Sequence, residues 1–319
     1  MALTGDKDEP AFQGRRASNH YRNGRACRAT ESPAIIPLVI IDFHTHIFPP
    51  HVREGRERYV RRDATFAEMY GSPRAKIATA EELLRSMDEA GVEVSVALGF
   101  AWRDHQDCVR HNDYLLEAAA KSGGRIVPFC TVNLLAGEDA VREVERCAGG
   151  GARGLGELRP DSQGWALDGP AGNMLAELAS RRGLILLFHV TEPVGHEYPG
   201  KLGLRLDSFY RFLGRAGGVP VVGSHLAGGL PLYAPMPAVR RALPGAYADT
   251  AALRYLYEPS VLPGVAQALG GERLLFGSDF PLVAQAAALS EVRGSGLEEA
   301  ALRRVLGENA GRLLGGPVT

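Results

Sequence analysis

The chain has little cysteine, almost no net charge and no long apolar run, and each scarcity excludes a class of protein. Its four cysteines, Cys27, Cys108, Cys130 and Cys147, are scattered and form no C-x-x-C pair, which argues against a disulfide framework or a thiolate zinc site. The formal net charge of −1 provides no field that would recruit nucleic acid. No apolar run approaches the roughly 18 residues of a membrane span.

The N-terminus also lacks the apolar segment of a signal peptide. We therefore expect a cytoplasmic protein that acts on a small molecule, with no nucleic-acid or membrane partner. A homo-oligomer remains possible, because nothing in the composition bears on the oligomeric state.

Residues 1–37 differ in composition from the rest of the chain. They are rich in Arg, Gly, Asn, Asp and Ser, and their apolar residues follow neither a helical nor a strand period. Such a segment cannot bury enough apolar surface to offset its ordering entropy. We therefore predict a disordered N-terminal extension over residues 1–37 and a single metal-dependent enzyme domain over residues 38–319.

From residue 38 onward, short apolar or β-branched runs alternate with amphipathic stretches. The predicted strands are Leu38–Phe43, Val92–Leu98, Arg125–Thr131, Ala152–Leu158, Leu184–His189, Val219–His225, Ala246–Thr250 and Arg273–Gly277. The predicted helices are Thr79–Ala90, Asn112–Lys121, Asp139–Ala148, Ala171–Arg182, Asp207–Arg215, Ala238–Leu243, Ser260–Leu269 and Leu297–Leu314. Strict alternation indicates parallel strands with crossover helices. Eight repeats over roughly 280 residues favour a closed (β/α)8 TIM barrel over an open sheet.

One predicted connection, Thr45–Ala78, is too long for a simple turn. It follows the first strand, so in a barrel it would lie on the face where the active site forms. A loop of this length within a compact domain is usually functional or disordered. We expect it to cover the site and exclude water.

The strongest chemical signal is the run Asp42-Phe43-His44-Thr45-His46. Because side chains alternate along a strand, Asp42, His44 and His46 point the same way, and at the end of a barrel strand that direction is into the mouth. Two imidazoles in this arrangement can share one metal ion, and Asp42 is placed to orient one of them. An H-x-H pair also occurs in ordinary loops, so its context decides between the two interpretations.

Three further candidates lie at the ends of later predicted strands. His189 ends the fifth strand, His225 ends the sixth and Asp279 follows the eighth. Each alone can be an ordinary buried polar residue. Together with the H-x-H pair, they place metal-competent side chains at the C-terminal ends of four barrel strands, where barrel enzymes build active sites. Three histidines and one carboxylate suit catalytic zinc, provided that one coordination position stays open.

This pattern resembles the amidohydrolase superfamily, and particularly the amidohydrolase-related branch. That branch includes aminocarboxymuconate-semialdehyde decarboxylase, related decarboxylases, and lactone or amide hydrolases. The likeness covers about Val39–Leu314, and it is carried by the H-x-H pair, the two later histidines and the G-S-D-F-P element. These motifs are jointly specific for the superfamily but not for a substrate.

The resemblance implies roles for the candidate residues. His44, His46 and His189 would ligate the metal. His225 would contact the metal-bound water or the substrate, or ligate a second metal. Asp279 would ligate the metal and also move a proton to or from the water.

The fourth predicted strand contributes Glu157, where many relatives carry a carboxylated lysine that bridges two metals. This glutamate resembles the bridging glutamate of TatD-type nucleases, and a carboxylate can join two divalent ions. Alternatively, Glu157 pairs with a nearby arginine or orients a ligand histidine. The sequence leaves both interpretations open. We therefore expect a divalent metal, most simply zinc, as one or two ions.

Substrate-binding candidates are fewer. Arg159 should share the inward face of Glu157, where it can hold a carboxylate bidentately. Trp102 and Arg103, after the second predicted strand, are the other candidates.

Because Glu157 favours hydrolytic relatives, we predict a metal-dependent hydrolase that uses a metal-activated water on a small carbonyl substrate such as a lactone, amide or cyclic imide. The alternative is a metal-dependent non-oxidative decarboxylase of an unsaturated or aromatic carboxylic acid. A nuclease would need a basic groove, which the balanced charge does not indicate.

Overall fold

Eight parallel strands follow one another around a single sheet in the computed structural model, which describes residues 38–201 and 203–316. The strands are β1 Ile41–His46, β2 Val94–Leu98, β3 Ile126–Cys130, β4 Gly154–Leu158, β5 Ile185–Phe188, β6 Val221–Gly223, β7 Ala246–Asp249 and β8 Leu274–Leu275. The amide of Phe43 donates to the carbonyl of Phe276 (2.7 Å), so the last strand returns to the first. The predicted TIM barrel is confirmed. The predicted disordered extension, residues 1–37, lies outside the described residues.

Helices follow the strands along the chain. The α-helices are Pro50–Glu54, Arg56–Arg62, Ala64–Tyr70, Ala80–Ala90, His105–Lys121, Glu138–Gly149, Pro160–Gln163, Pro170–Arg182, Leu206–Leu213, Pro237–Ala242, Leu253–Leu256, Leu262–Ala268, Gln285–Arg293, Glu299–Arg303 and Asn309–Leu313. Short 3-10 turns are Leu134–Ala136, Leu230–Tyr233, Leu243–Gly245 and Pro259–Val261. A π-helical turn, Arg304–Glu308, joins the last two α-helices. Within the described ranges, no helix combines the length and apolarity needed to cross a membrane.

The connection after β1 is not the irregular loop that the sequence predicts over Thr45–Ala78, because most of it forms three short helices. The last of them, Ala64–Tyr70, begins at Asp63, whose carboxylate accepts a hydrogen bond from the amide of Phe66 (2.9 Å). The Phe66 ring stacks on Trp102 with ring centroids 5.1 Å apart. Aromatic burial of this kind orders the segment against the barrel, and helices this short show no clear sequence period.

The barrel interior is a packed core rather than a channel. Side chains from successive strands fill it, and Phe43, Val96 and Phe129 are fully buried. The rings of Phe43 and Phe129 meet edge to face with centroids 5.6 Å apart. Near the C-terminus, Ala310 joins the same cluster. This core supports the strand ends on which the candidate site is built.

Replacing Phe129 with Ala should lower the free energy of unfolding by about 3–5 kcal/mol, because it leaves a cavity within a closed barrel. The matched control is Leu135→Ala, whose side chain is 63% exposed and whose loss should change that free energy by less than about 0.5 kcal/mol. Urea unfolding followed by circular dichroism measures both variants. Equal losses would show that the Phe129 ring is not part of the core.

Candidate metal centre

β1 carries two imidazoles to the mouth of the barrel. The Nε2 atoms of His44 and His46 lie 3.1 Å apart, and both side chains are buried. The sequence predicts that the strand ends at Phe43, but it continues to His46. There it pairs with Leu98 of β2, and the amide of His46 donates to the carbonyl of Phe280 (2.7 Å) on the other side. The H-x-H pair therefore belongs to the strand itself, which holds both rings in a fixed orientation.

Two carboxylates face this histidine pair. Glu157 in β4 places Oε2 3.5 Å from Nε2 of His46 and Oε1 3.8 Å from Nε2 of His44. Asp279, beyond β8, places Oδ1 3.4 Å from Nε2 of His46 and 3.8 Å from Nε2 of His44. A buried set of imidazole nitrogens and carboxylate oxygens of this kind suits a divalent transition metal.

His189 and His225 lie beside the first two histidines. His189 follows β5, and its Nδ1 is 3.0 Å from Oε1 of Glu157 while its Nε2 is 2.8 Å from the carbonyl of Gly200. Nε2 of His225 lies 3.8 Å from Oδ2 of Asp279. The structure thus brings the predicted ligands together, but metal ligation by His189 requires one of its two protein contacts to open.

A left-handed turn presents His225. The sequence predicts that the sixth strand reaches His225, but β6 ends at Gly223, and φ is 57°, 56° and 53° at His225, Leu226 and Ala227. Residues with a β-carbon rarely adopt this region, so the surrounding structure must stabilise the turn. One stabilising contact is the hydrogen bond from the amide of His225 to Oδ1 of Asp249 (3.0 Å).

The carboxylate that contacts the His44 ring is not the one that the sequence indicates. Asp42 accepts hydrogen bonds from the amide of His44 (3.1 Å) and from Oγ of Ser278 (2.5 Å), so it ties β1 to the segment after β8. Nδ1 of His44 lies instead 2.8 Å from Oδ2 of Asp249, the fully buried last residue of β7. Sequence reasoning missed Asp249, although its place at the end of a predicted strand was a usable signal.

The buried charges shift the pKa values of the cluster. Burial disfavours the imidazolium of His44, but the carboxylates of Asp249 and Glu157 outweigh it and raise the pKa of His44 to about 10. Burial and the neighbouring His44 lower the pKa of His46. Burial alone would raise the pKa of Glu157, but His189 and His44 hold it well below its ordinary value. The cluster therefore holds ionised carboxylates that attract a cation.

The predicted substrate-binding residues lie in different surroundings. Arg159 is buried, and its Nη2 donates to the carbonyl of Gly200 (3.1 Å). Trp102 is only 1% exposed, and its Nε1 donates to Nδ1 of His111 (3.0 Å) beneath the helices after β1. The side chain of Arg103 is exposed. None of these three residues lines the cavity over the cluster, so their positions do not support the predicted direct contact with substrate.

A cavity of about 430 Å³ opens over the cluster and includes five of the candidate residues in its lining. Its other lining residues include Met69, Tyr70, Arg74, Lys76, His196, Tyr198, Ala252, Tyr255, Leu256, Pro281 and Leu282. Such a mainly apolar and aromatic wall suits a small organic molecule. A larger groove of about 690 Å³ lies along the loop after β5, but none of the candidate ligands lines it. The smaller cavity is therefore the candidate substrate site.

Comparison with known protein families identifies the chain. Residues 41–316 match the sequence profile described as Amidohydrolase, which is nearly the whole described part. The chain belongs to the amidohydrolase family. The resemblance to the amidohydrolase-related branch is thereby confirmed. No curated protein sequence matches the chain.

Several solved structures share the fold. The chain is 18% identical to 5-carboxyvanillate decarboxylase from Sphingomonas paucimobilis, with a TM-score of 0.72 over 88% of this chain and 100% of that one. It is 16% identical to 2,6-dihydroxybenzoate decarboxylase from Rhizobium, with a TM-score of 0.66 over 87% and 99%. It is 18% identical to a manganese-bound dihydroxybenzoic acid decarboxylase from Polaromonas sp. JS666, with a TM-score of 0.65 over 86% and 96%.

These relatives overturn the prediction of a hydrolase acting on a lactone, amide or cyclic imide. The similar structures are decarboxylases of aromatic acids, in line with the alternative. The physical reason for the error is that a barrel with histidine and carboxylate ligands specifies a metal-binding scaffold but not the bond that is broken. Glu157 does not favour hydrolysis either. Its Oε1 faces Nδ1 of His189 (3.0 Å), which is the arrangement of a carboxylate that orients a ligand histidine.

His44→Ala should lose the bound metal, because β1 fixes this imidazole and the carboxylate behind it, Asp249, contacts the ring at Nδ1, on the side away from the proposed metal. Asp279→Asn should retain much of the metal, because the amide keeps an oxygen donor. Elemental analysis of protein reconstituted with zinc or manganese measures the ions per chain. His51→Ala, a change at an exposed histidine, is the control and should not alter that number. Full metal content in His44→Ala would show that the assigned site is wrong.

Proposed function

We propose that this chain is a metal-dependent, non-oxidative decarboxylase of an aromatic carboxylic acid. The observation that carries the proposal is the buried cluster of histidines and carboxylates under a small, mainly apolar cavity. The similarity of the chain to decarboxylases of aromatic acids adds support. The cavity is also large enough for a substituted benzene ring.

The donor atoms of the cluster fit a divalent ion. Nδ1 of His44 is engaged by Asp249, so the other nitrogen of that ring faces Nε2 of His46 at 3.1 Å. Two ring nitrogens that face each other so closely need a proton or a cation between them. Among the described residues, Nδ1 of His46 is buried without a hydrogen-bond partner. The proposed ligands are His44, His46, His189, Glu157 and Asp279.

We propose a single ion rather than two. A glutamate that bridges two metals with one oxygen on each needs both oxygens free, but Oε1 of Glu157 accepts a hydrogen bond from Oγ of Ser224 (2.8 Å) and faces His189. Only Oε2 of Glu157, 3.5 Å from Nε2 of His46, is left for a metal. Zinc suits the imidazole donors and manganese suits the carboxylates, so we propose one of these two ions. A bound ion neutralises substrate charge and polarises a substrate oxygen.

His225 and Asp279 are the proposed proton-transfer residues. Loss of carbon dioxide requires a proton at the ring carbon that bears the carboxylate, after which the C–C bond breaks and its electron pair returns to the ring. Burial disfavours the imidazolium of His225, but Asp279 and Glu157 raise its pKa above the ordinary value. Asp279 lies 3.8 Å from Nε2 of His225 and lines the cavity. The pair can therefore hold a proton and deliver it to the substrate.

Arg159 is the proposed source of positive potential for the substrate carboxylate. Its guanidinium is buried next to His46 and Glu157, and its Nε has no hydrogen-bond partner among the described residues. The space between these side chains is only about 10 Å³, which is about one water and too small for a carboxylate. Arg159 therefore acts through its field across this space, weakened by Glu68, whose Oε2 lies 3.4 Å from Nη2, rather than by the bidentate contact that the sequence suggests.

The proposed reaction is tested with hydroxylated benzoic acids and with their methyl esters. Protein loaded with zinc or manganese should release carbon dioxide and the corresponding phenol from at least one free acid. The esters should give no product, because they lack the carboxylate that leaves. Carbon dioxide is measured by mass spectrometry and the phenol by chromatography. Ester or lactone cleavage without any release of carbon dioxide would contradict the proposal.

Asp279→Asn and His225→Asn should each lower the turnover number by about 10²–10⁴, because each removes a proton-transfer group. Both variants should still bind metal, since His44 and His46 remain. Turnover and metal content are measured on the same samples, with His51→Ala as the control. Near-normal turnover in both variants would show that the proton comes from elsewhere.

A further inference from the structure

Asp249 contacts two of the proposed functional histidines with different oxygens. Its side chain is fully buried at the end of β7. Oδ2 lies 2.8 Å from Nδ1 of His44, while Oδ1 accepts hydrogen bonds from the amides of His225 (3.0 Å) and Ala251 (3.1 Å). One carboxylate thus reaches both the first proposed ligand and the turn that presents the proton-transfer residue.

The backbone around Asp249 is built for this close approach. A β-carbon at Gly277 would lie 2.8 Å from Cβ of His44 and 3.3 Å from Cβ of Asp249, so only glycine leaves room for the pair. Thr250 holds Gly277 in this position, because its Oγ1 accepts from the amide of Gly277 (3.0 Å) and donates to the carbonyl of Gly277 (2.9 Å). The His44–Asp249 contact is therefore set by three strand ends at once.

We infer that Asp249 is a positioning residue that couples the metal site to the proton-transfer residue. This inference rests on the proposed function, which assigns His44 to the metal and His225 to the proton. A metal-bound imidazole carries only one proton, and a carboxylate at Nδ1 keeps that proton there, so that Nε2 of His44 is the nitrogen that binds the metal. The other oxygen holds the left-handed turn at His225. Glu157 and Asp279 cannot replace it, because both lie 3.8 Å from Nε2 of His44, on the metal side of the ring.

Asp249→Asn separates the contact of this side chain with the His44 ring from its hydrogen bonds to the turn at His225. The amide oxygen can still accept from the amides of His225 and Ala251, so the turn is retained. The amide NH2 then faces Nδ1 of His44 and donates to it, which moves the ring proton to Nε2 and blocks metal binding there. The opposite amide orientation would place the NH2 group against two backbone N–H donors. The orientation that points the NH2 group at Nδ1 of His44 is therefore favoured.

The test is metal affinity, measured by competition with a chelator for Zn²⁺ and for Mn²⁺ on the full chain stripped of metal. We expect Asp249→Asn to bind about 10–100-fold more weakly than the unaltered protein, with a small change in melting temperature. Asp249→Ala should weaken binding and also lower the melting temperature, because it releases the turn.

The matched control is Asp63→Asn, which alters another buried carboxylate that accepts from backbone amides, those of Phe66 (2.9 Å) and Arg103 (3.0 Å). It should lower the melting temperature without changing metal affinity. Metal affinity in Asp249→Asn equal to that of the unaltered protein would overturn the inference. If the unaltered protein itself binds neither ion, the proposed function fails instead.

A second measurement does not depend on a folded variant. Nitrogen-15 spectra of the unaltered zinc-loaded protein, labelled at histidine, report which ring nitrogen of each residue carries the proton. His44 should be protonated at Nδ1. A proton on Nε2 of His44 would overturn the inference even if every Asp249 variant failed to fold.

Discussion

Backbone hydrogen bonds between β1 and the segment after β8 join the two ends of the barrel and make the site possible. The amide of Asp279 donates to the carbonyl of His44 (2.9 Å), and the amide of His46 donates to the carbonyl of Phe280 (2.7 Å). Asp42 strengthens this seam through Ser278 and through Nε2 of Gln285 (2.8 Å). Because the seam sets the distance between the H-x-H pair and Asp279, the relative positions of His44, His46 and Asp279 depend on it.

Different strand ends supply different chemical groups to the site. β1 supplies imidazoles, β4 and the segment after β8 supply carboxylates, and β7 supplies the group behind one of those imidazoles. This division follows from parallel strands, because a closed barrel brings all its C-terminal ends to one face. The helices after β1 then form part of the cavity wall through Met69 and Tyr70. A connection that is ordered by aromatic packing therefore also shapes the substrate site.

Chemistry on such a scaffold is decided by the cavity and by proton positions more than by the ligand set. The hydrolase and decarboxylase interpretations use the same histidines and the same Asp279. They differ in what lies over the metal and in where the proton is delivered. The prediction of hydrolysis was wrong because it took the identity of Glu157 as a guide to the reaction. The contacts of Glu157 with His189 and Ser224 are those of a carboxylate that orients a histidine.

The sequence by itself was sufficient for the barrel and for most of the histidines and carboxylates that gather at its mouth. Both depend on local period: alternation within strands, alternation of strands with helices, and polar residues at strand ends. Tertiary structure decided the rest. β1 extends to His46 because β2 pairs with it on one side and the segment after β8 on the other, and Asp249 is 205 residues from the His44 ring that it contacts. Local periodicity carries no information about such partners, because closing the barrel creates the contact.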